Sequence, residues 1–251
     1  MRLRVGIFLL LLLLFGNTLL GAATLQVAVA SNFTAPAQRL AERFAQESGE
    51  QAVLSFASTA KLYAQISNGA PFDCFLAADA ESADKLLRAG RAVAGSRLTY
   101  ALGKLLLWSA QSGYVDGQGE RLRRGDFAHL ALADPRLAPY GRAAVEVLRA
   151  LGLLESLQSK WVLGENIAQT HQFVATGNAE LGFVALAQQF EGGALNKGSA
   201  WLVPEELYQP IRQVAVLLER GKENPAALAW MRFLQTEQAR AIIRSYGYGE
   251  E

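Results

Sequence analysis

The sequence has few cysteines and histidines, two residue types from which enzymes often build active sites. Its 251 residues include one cysteine, Cys74, and two histidines, His129 and His171, which are too few for a zinc cluster. It contains no glycine-rich nucleotide-binding motif and no Walker, HExxH, GxSxG or CxxC motif. Cys74 lies inside the apolar segment 72–77, which indicates a buried core thiol rather than a nucleophile. We therefore predict a protein that is not an enzyme, uses no cofactor and binds no metal ion directly through its side chains.

Charge of either sign is also scarce. Charged residues make up 19% of the chain, and 24 basic residues nearly balance 23 acidic ones. No basic cluster alternates with aromatic residues, so nucleic acid is not an expected partner. Because the chain has no bulk positive field, an anionic ligand would have to be held by local geometry.

The one long hydrophobic run lies at the N-terminus. Arg2 and Arg4 precede the apolar segment 5–15, and small residues then lead to a cleavage site after Ala23. This order is typical of a secretory signal peptide, and the apolar segment is too short to cross about 30 Å of hydrocarbon. No cysteine follows it, so a lipid anchor is not expected. We predict that residues 1–23 are a signal peptide and that the protein is exported to the periplasm.

After the signal peptide, apolar strand-like segments alternate with helix-like segments. The predicted strands are 25–30, 52–56, 72–77, 98–110, 129–133, 161–163, 181–185 and 211–218. The predicted helices are 34–48, 59–67, 81–88, 141–150, 168–175, 224–235 and 236–245. This alternation is typical of an α/β protein whose sheet is mostly parallel and covered on both faces. A polar, glycine-rich loop at 111–124 separates two halves, and the pattern restarts after it.

Small or hydroxyl-bearing residues occupy four of the predicted turns from a strand into a helix. They are Ser31–Asn32 and Ser58–Thr59 in the first half, and Pro139–Gly141 and Asn166–Ile167 in the second. A helix N-terminus carries unpaired N–H groups and the positive end of the helix dipole, which favour an anion. Ligands of open α/β sheets bind beyond the carboxyl ends of the strands. The four turns therefore suit one anion between the halves, although ordinary helix capping explains the same residues at least as well.

These turns and the segments around them resemble a known family. The matching segments are 27–34 (VAVASNFT), 55–59 (SFAST), 69–73 (GAPFD), 77–79, 134–135, 138–141 (APYG), 165–167, 181–184 and 246–248. In this order they are similar to periplasmic molybdate-binding proteins, over essentially the whole chain after residue 23. The resemblance implies a type II periplasmic binding protein fold, in which two α/β lobes are joined by a two-strand hinge around a ligand cleft. The first lobe would comprise 24–98 and 212–251, and the second 99–211.

The resemblance also implies which residues bind the ligand. The family holds its oxyanion with neutral hydrogen-bond donors, and the matching positions here are Ser31, Asn32, Ser58, Thr59, Tyr140 and Ile167. At Tyr140 and Ile167 the family's donor is the backbone N–H. Asn32 stands where many members have serine, and Ala185 where many have a tyrosine whose hydroxyl reaches the anion. Either the Asn32 amide or the Tyr140 hydroxyl is expected to supply the missing donor.

The family's function implies the ligand and the partners. We expect molybdate or tungstate to be bound by a monomeric protein and delivered to the permease of an ABC transporter and its ATPase. The nearest alternative is a sulfate- or thiosulfate-binding protein of the same fold, and an enzyme on this fold is a more distant one. Segments 55–59 and 138–141 favour molybdate. A transcriptional regulator with this fold would need a DNA-binding segment, and the predicted signal peptide argues against one.

Overall fold

The computed structural model describes residues 24–191 and 194–250, and the predicted signal peptide lies outside them. Its strands are β1 (Thr24–Ala30), β2 (Gln51–Ala57), β3 (Cys74–Ala77), β4 (Leu98–Gly103), β5 (Leu105–Ser109), β6 (Leu130–Ala133), β7 (Trp161–Gly164), β8 (Leu181–Ala185), β9 (Phe190–Glu191), β10 (Ala194–Leu195), β11 (Ser199–Leu202) and β12 (Ile211–Leu217). Its α-helices are α1 (Thr34–Ser48), α2 (Thr59–Ser67), α3 (Ala80–Arg88), α4 (Glu120–Arg124), α5 (Pro139–Ala150), α6 (Leu154–Leu157), α7 (Ile167–Ala175), α8 (Pro225–Phe233) and α9 (Glu237–Ser245).

Two five-stranded sheets with helices packed against them form two lobes. The strand order is β2-β1-β3-β12-β4 in the first sheet and β11-β5-β8-β6-β7 in the second. Strands β1, β2 and β3 are parallel, and so are β6, β7 and β8. This architecture confirms the predicted α/β class with two lobes.

The sheets are mixed, whereas the sequence predicted mostly parallel ones. Strand β12 pairs antiparallel with β3 and β4, and β5 pairs antiparallel with β8 and β11. A parallel neighbour needs a crossover connection that usually contains a helix. The chain instead passes between the lobes directly from β4 to β5, so the alternation of strands and helices carries no information about the direction of these strands.

The predicted single strand 98–110 is two strands that belong to different sheets. Strand β4 ends at Gly103 and pairs with β12, whereas β5 begins at Leu105 and pairs with β8. The predicted lobe boundary after residue 98 therefore falls inside a strand of the first sheet, and the chain crosses at Lys104. Ile211, which was predicted for the second lobe, opens β12 in the first sheet. The apolar run hides this break because residues on both sides of Lys104 are buried in a lobe core.

Helices cover both faces of the first sheet. On one face, Phe44 of α1 and Trp230 of α8 pack with their ring centroids 5.2 Å apart and their planes at 89°. On the other face, Leu62 of α2 and Leu86 of α3 are buried. Cys74 of β3 is completely buried, and burial raises the pKa of its thiol. This confirms the prediction that Cys74 is a core residue, because a protonated thiol with no access to solvent is inert.

The histidines make packing and surface contacts. His171 stacks on Trp108 with ring centroids 4.9 Å apart, and Nδ1 of His129 lies 3.7 Å from a carboxylate oxygen of Glu180. Within residues 24–191 and 194–250, no three His, Cys, Asp or Glu side chains are grouped to hold a metal ion. No helix in that part of the chain is long and apolar enough to cross a membrane.

Candidate functional site

A small cavity lies between the lobes, at the carboxyl ends of β1, β2 and β3 on one side and near those of β6 and β7 on the other. It is lined by all six residues that the sequence predicted as ligand-binding, and by the small residues Ala30, Ala78, Ala138 and Pro139. Its volume is about 10 Å³, room for about one water molecule, so the lobes are closed on each other. Every lining residue is uncharged, and the six predicted residues meet at one point although they come from four separate turns.

The N-terminus of α7 directs one N–H group at this cavity. Asn166 caps the helix, because its Oδ1 accepts hydrogen bonds from Ala168 N at 2.9 Å and Gln169 N at 3.1 Å. The preceding N–H, that of Ile167, donates to no acceptor in the described residues. The Asn166 cap thus satisfies the N–H groups of Ala168 and Gln169 and leaves the Ile167 N–H for a ligand.

Helix α5 follows the same pattern. The N–H groups of Gly141 and Arg142 donate to the carbonyl oxygen of Ala138, at 3.0 and 3.2 Å. The backbone N–H of Tyr140 has no acceptor in the part of the chain that the structure describes. Pro139 occupies the first position of the helix and has no N–H to satisfy. Tyr140 N is therefore the donor that α5 presents to the cavity.

Helix α2 adds a third N-terminus from the first lobe. Ala60 N donates across the cleft to Leu137 O at 3.2 Å, and Leu62 N donates to Ser58 O at 3.1 Å. Thr59 N has no acceptor among residues 24–191 and 194–250. Three helix N-termini, two of them in the second lobe, therefore point unpaired N–H groups and positive dipole ends at one small space, which is an arrangement that favours an anion.

Two hydroxyl groups complete the set of donors. The Oγ1 atom of Thr59 accepts a hydrogen bond from Ala78 N at 3.2 Å, so its proton points elsewhere and is available to a ligand. The hydroxyl of Ser58 is buried and has no hydrogen-bond partner among the described residues. Nearly all buried polar groups in native proteins are paired. The unpaired Ser58 hydroxyl is therefore a donor that a ligand can satisfy.

The Asn32 amide does not face the cavity as the sequence predicted. Its Nδ2 atom donates to Oε1 of Gln213 at 2.8 Å and to the hydroxyl of Tyr248 at 3.0 Å. The Tyr248 hydroxyl in turn donates to the Asn32 carbonyl oxygen at 3.0 Å. Both amide hydrogens are therefore used inside the first lobe, and neither is left for a ligand. Gln213 and Tyr248 were missed by the sequence prediction, which marked 246–248 as similar to the family but assigned the segment no role.

The Tyr140 hydroxyl, the other predicted replacement, points to the hinge. It lies so close to Gly103 of β4 that a Cβ on this glycine would clash with it. Burial and then the neighbouring Tyr248 raise the pKa of Tyr140 well above its usual range, so its hydroxyl stays neutral. The backbone of Tyr140 thus faces the cavity while its side chain reaches the strands that join the lobes.

Ala185, at the position where the resemblance implied a tyrosine, is connected to the site through another side chain. Ala185 is completely buried, and its N–H donates to Oε1 of Gln188 at 2.9 Å. Nε2 of the same side chain donates to the carbonyl oxygen of Ile167 at 3.1 Å. Gln188, which the sequence prediction also missed, therefore holds the residue whose N–H faces the cavity.

Charged side chains lie outside the cavity and are paired across the cleft. Arg142 of the second lobe contacts Asp79 of the first at 2.6 Å, and Lys61 of the first contacts Glu165 of the second at 2.7 Å. A larger cleft of about 140 Å³ beside the cavity is lined by Asp79 and Glu146 together with arginines. Its two carboxylates offset its two arginines, and Arg142 is already paired with Asp79. The cleft therefore has no excess positive charge to attract an anion, and the cavity with its unpaired donors is the better anion site.

Comparison with known proteins identifies similar chains over nearly the whole length. The family model described as bacterial extracellular solute-binding protein matches residues 25–249. The molybdate-binding protein ModA of Azotobacter vinelandii is 56% identical over 228 residues, which cover 91% of this chain and 90% of that one. ModA of Rhodobacter capsulatus is 48% identical over 226 residues, 89% of this chain and 87% of that one.

Solved structures agree with this result. The periplasmic molybdate-binding protein of Azotobacter vinelandii superimposes with a TM-score of 0.88 and 43% identity, covering 90% of this chain and 99% of that one. The sulfate-binding protein SubI of Mycobacterium tuberculosis superimposes with a TM-score of 0.71 at 11% identity, covering 90% of this chain and 86% of that one. At that low identity the second match shows a common fold alone.

Proposed function

Because this chain belongs to the family of bacterial extracellular solute-binding proteins, we propose that it is a periplasmic protein that captures molybdate in the cleft between its lobes. The observation that carries the proposal is a buried, uncharged cavity with unsatisfied donors on both sides. The Ser58 hydroxyl lacks a partner in the described residues, and three helix N-termini contribute N–H groups without acceptors there. The relatives named for molybdate support the choice of ligand.

The chemistry of the donors separates molybdate from phosphate. Molybdate is fully deprotonated near neutral pH and offers only acceptors, which matches the hydroxyl and N–H donors of the cavity. Phosphate carries a proton at that pH, and no carboxylate lines the cavity to accept it. Burying an unpaired O–H costs about 1–3 kcal/mol, so the site discriminates against phosphate by leaving its proton unsatisfied.

Size separates molybdate from sulfate. Sulfate has the same charge and shape but shorter bonds, so we propose that the cage, once it has opened enough to fit molybdate, leaves sulfate with long, weak hydrogen bonds. Tungstate is nearly the same size as molybdate, and we propose that the site accepts both. Six residues surround the ligand in this proposal: Ser31, Asn32, Ser58, Thr59, Tyr140 and Ile167. Asn32 contributes through its backbone rather than through its side-chain amide.

The partners follow from the proposed role. A periplasmic binding protein acts by delivering its ligand to a membrane permease that an ATPase drives, and we propose that this protein serves an ABC importer as a monomer. Residues 1–23 are the proposed export signal. Like its relatives, the protein is proposed to bind and release its ligand without chemical change.

Isothermal titration of the protein, stripped of bound anions, tests the proposal. Molybdate and tungstate are expected to bind tightly at one site per chain, with sulfate and phosphate far weaker. A preference for sulfate would retain the transport role and replace the ligand. Absence of binding to all four anions would refute the proposal.

A further inference from the structure

Three buried side chains on the hinge side of the cavity form a hydrogen-bonded group that no ligand contact explains. This group, the Asn32 cluster, consists of Asn32, Gln213 of β12 and Tyr248 near the C-terminus. The Tyr248 hydroxyl donates to the carbonyl oxygen of Asn32 and accepts from its amide, both at 3.0 Å. The amide's second hydrogen goes to Gln213, 2.8 Å away. All three side chains are at most 4% exposed.

The cluster fixes a turn that has little support of its own. Residues Ser31–Phe33 form a single 3-10 turn between β1 and α1, without a side-chain capping bond. One local hydrogen bond, from the Thr34 hydroxyl to the Ser31 carbonyl oxygen at 2.8 Å, supports the turn. The hydrogen bonds of the Asn32 side chain are instead made with residues 181 and 216 positions away in the sequence. Phe33 adds a packing contact, because its ring lies edge-on to that of Tyr248 at 5.2 Å. The orientation of the turn at the cavity is therefore set from outside it.

We propose that Tyr248 is a positioning residue for the oxyanion site: through Asn32 and with Gln213, its hydroxyl fixes the Ser31–Asn32 turn at the distance that a molybdate-sized ion requires. The proposal rests on the proposed function and deepens it. A cage of donors distinguishes ions of equal charge by size as long as its walls do not yield. Loosening one wall lets the cage contract around the smaller sulfate, so Tyr248 contributes to selectivity without touching the ligand.

The Tyr248 hydroxyl is suited to this role because it remains neutral. Burial raises the pKa of Tyr248 above its usual range, and the hydrogen bond with Asn32 opposes this only in part. A phenol that stays protonated can donate to a carbonyl and accept from an amide at the same time. Its role in holding the turn is therefore insensitive to pH over the physiological range.

Tyr100 provides a matched control in the same core. Its ring also packs edge-on against that of Phe33, with the ring centroids 4.9 Å apart. Its hydroxyl is also buried, but it has no hydrogen-bond partner in the described residues. Tyr100→Phe and Tyr248→Phe thus delete the same atom next to the same aromatic ring, and only the second change removes bonds to the turn.

The test is titration of wild type, Tyr248→Phe and Tyr100→Phe with molybdate and with sulfate. Tyr248→Phe is expected to weaken molybdate binding about three- to tenfold, because the two hydrogen bonds that it removes act on the ligand only through the position of the turn. It is also expected to reduce the molybdate-to-sulfate affinity ratio by a similar factor, whereas Tyr100→Phe leaves both quantities unchanged. Hydrogen exchange of a peptide spanning 31–34 is expected to be faster in ligand-free Tyr248→Phe than in the control.

Thermal unfolding of both variants separates positioning from general stability. A lower Tm for Tyr248→Phe with an unchanged affinity ratio and unchanged exchange at 31–34 would overturn the inference. If Tyr248→Phe does not fold, Gln213→Leu removes the other acceptor of the Asn32 amide and is expected to lower the same ratio. Absence of oxyanion binding by the wild type would instead refute the proposed function, so the two failures are distinguishable.

Discussion

The Ser58 hydroxyl is buried without a partner among the described residues, a state that costs about 1–3 kcal/mol until a ligand satisfies it. Ser58→Ala is therefore expected to leave the Tm of the ligand-free protein equal or higher while weakening molybdate binding about tenfold or more. Scanning calorimetry and titration measure the two quantities. Ser245→Ala, which removes an exposed hydroxyl of α9, is the control and should not change molybdate affinity. A lower Tm for Ser58→Ala with unaltered affinity would contradict the prediction.

The Thr59 hydroxyl has a different environment, because it already accepts from Ala78 N at 3.2 Å. Thr59→Ala removes a hydrogen bond to a charged ligand that is worth about 1.5–3 kcal/mol, so the Kd for molybdate is expected to rise about ten- to a hundredfold. Thr59→Ser keeps the hydroxyl and is expected to bind almost as the wild type does. Titration calorimetry measures all three affinities. Equal Kd values for wild type and Thr59→Ala would remove Thr59 from the ligand contacts.

At the residue scale, the sequence predicts those parts of the site that are local in the chain. A hydroxyl or small residue between a strand and a helix, as at Ser58, can be recognised within a few positions. The hydrogen-bond partners of Asn32 cannot be recognised in this way, because Gln213 and Tyr248 lie 181 and 216 positions away in the sequence. The sequence prediction therefore directed the Asn32 amide at the ligand, whereas folding gives its hydrogens to two distant acceptors.

At the scale of elements, the first turn of α5 packs closely against the end of β6, and this packing places the Tyr140 N–H. Gly141 permits this, because a Cβ there would clash with the carbonyl oxygen of Ala133. Gly141→Ala is expected to displace the start of α5, destabilise the protein by about 1–3 kcal/mol and weaken molybdate binding. Gly117→Ala, at a glycine with open space around its Cβ position, is the control. Urea denaturation and titration test this, and an unaffected Gly141→Ala variant would show that α5 tolerates a shift.

Strand order and direction could be predicted only where helices separate the strands. The parallel strands β1, β2 and β3 follow from the alternating pattern, since each is joined to the next by a helix. The crossing at Lys104 does not follow, because the apolar run 98–110 is continuous on both sides of it. Which sheet a buried strand joins depends on distant partner strands such as β8 and β12. These partners cannot be identified from the local sequence.

At the scale of the whole molecule, few bonds join the lobes around the cavity. Arg142 and Asp79 form one ion pair across the cleft, and Lys61 and Glu165 form another. The Asp79 side chain is 14% exposed, whereas those of Lys61 and Glu165 are 51% and 49% exposed. Arg142 is 41% exposed, so both pairs remain open to solvent on at least one side. Ion pairs of this kind contribute about 0.2–1 kcal/mol. The pairs, together with the hydrogen bond from Ala60 N to Leu137 O, therefore bias the lobes towards closure, and we expect the bound ligand to add to the free energy that keeps them closed.

Removing the less exposed of these pairs should accelerate ligand release. Arg142→Gln leaves Asp79 in place, because that carboxylate also caps α3 by accepting from Ser82 N at 2.8 Å. Release of molybdate is expected to be up to about fivefold faster at low salt, with a smaller difference at high salt because the pair is screened. Arg39→Gln breaks an exposed pair within one helix and should not change the rate. Stopped-flow tryptophan fluorescence measures release, and identical rates for Arg142→Gln and wild type at every salt concentration would show that closure does not depend on this contact.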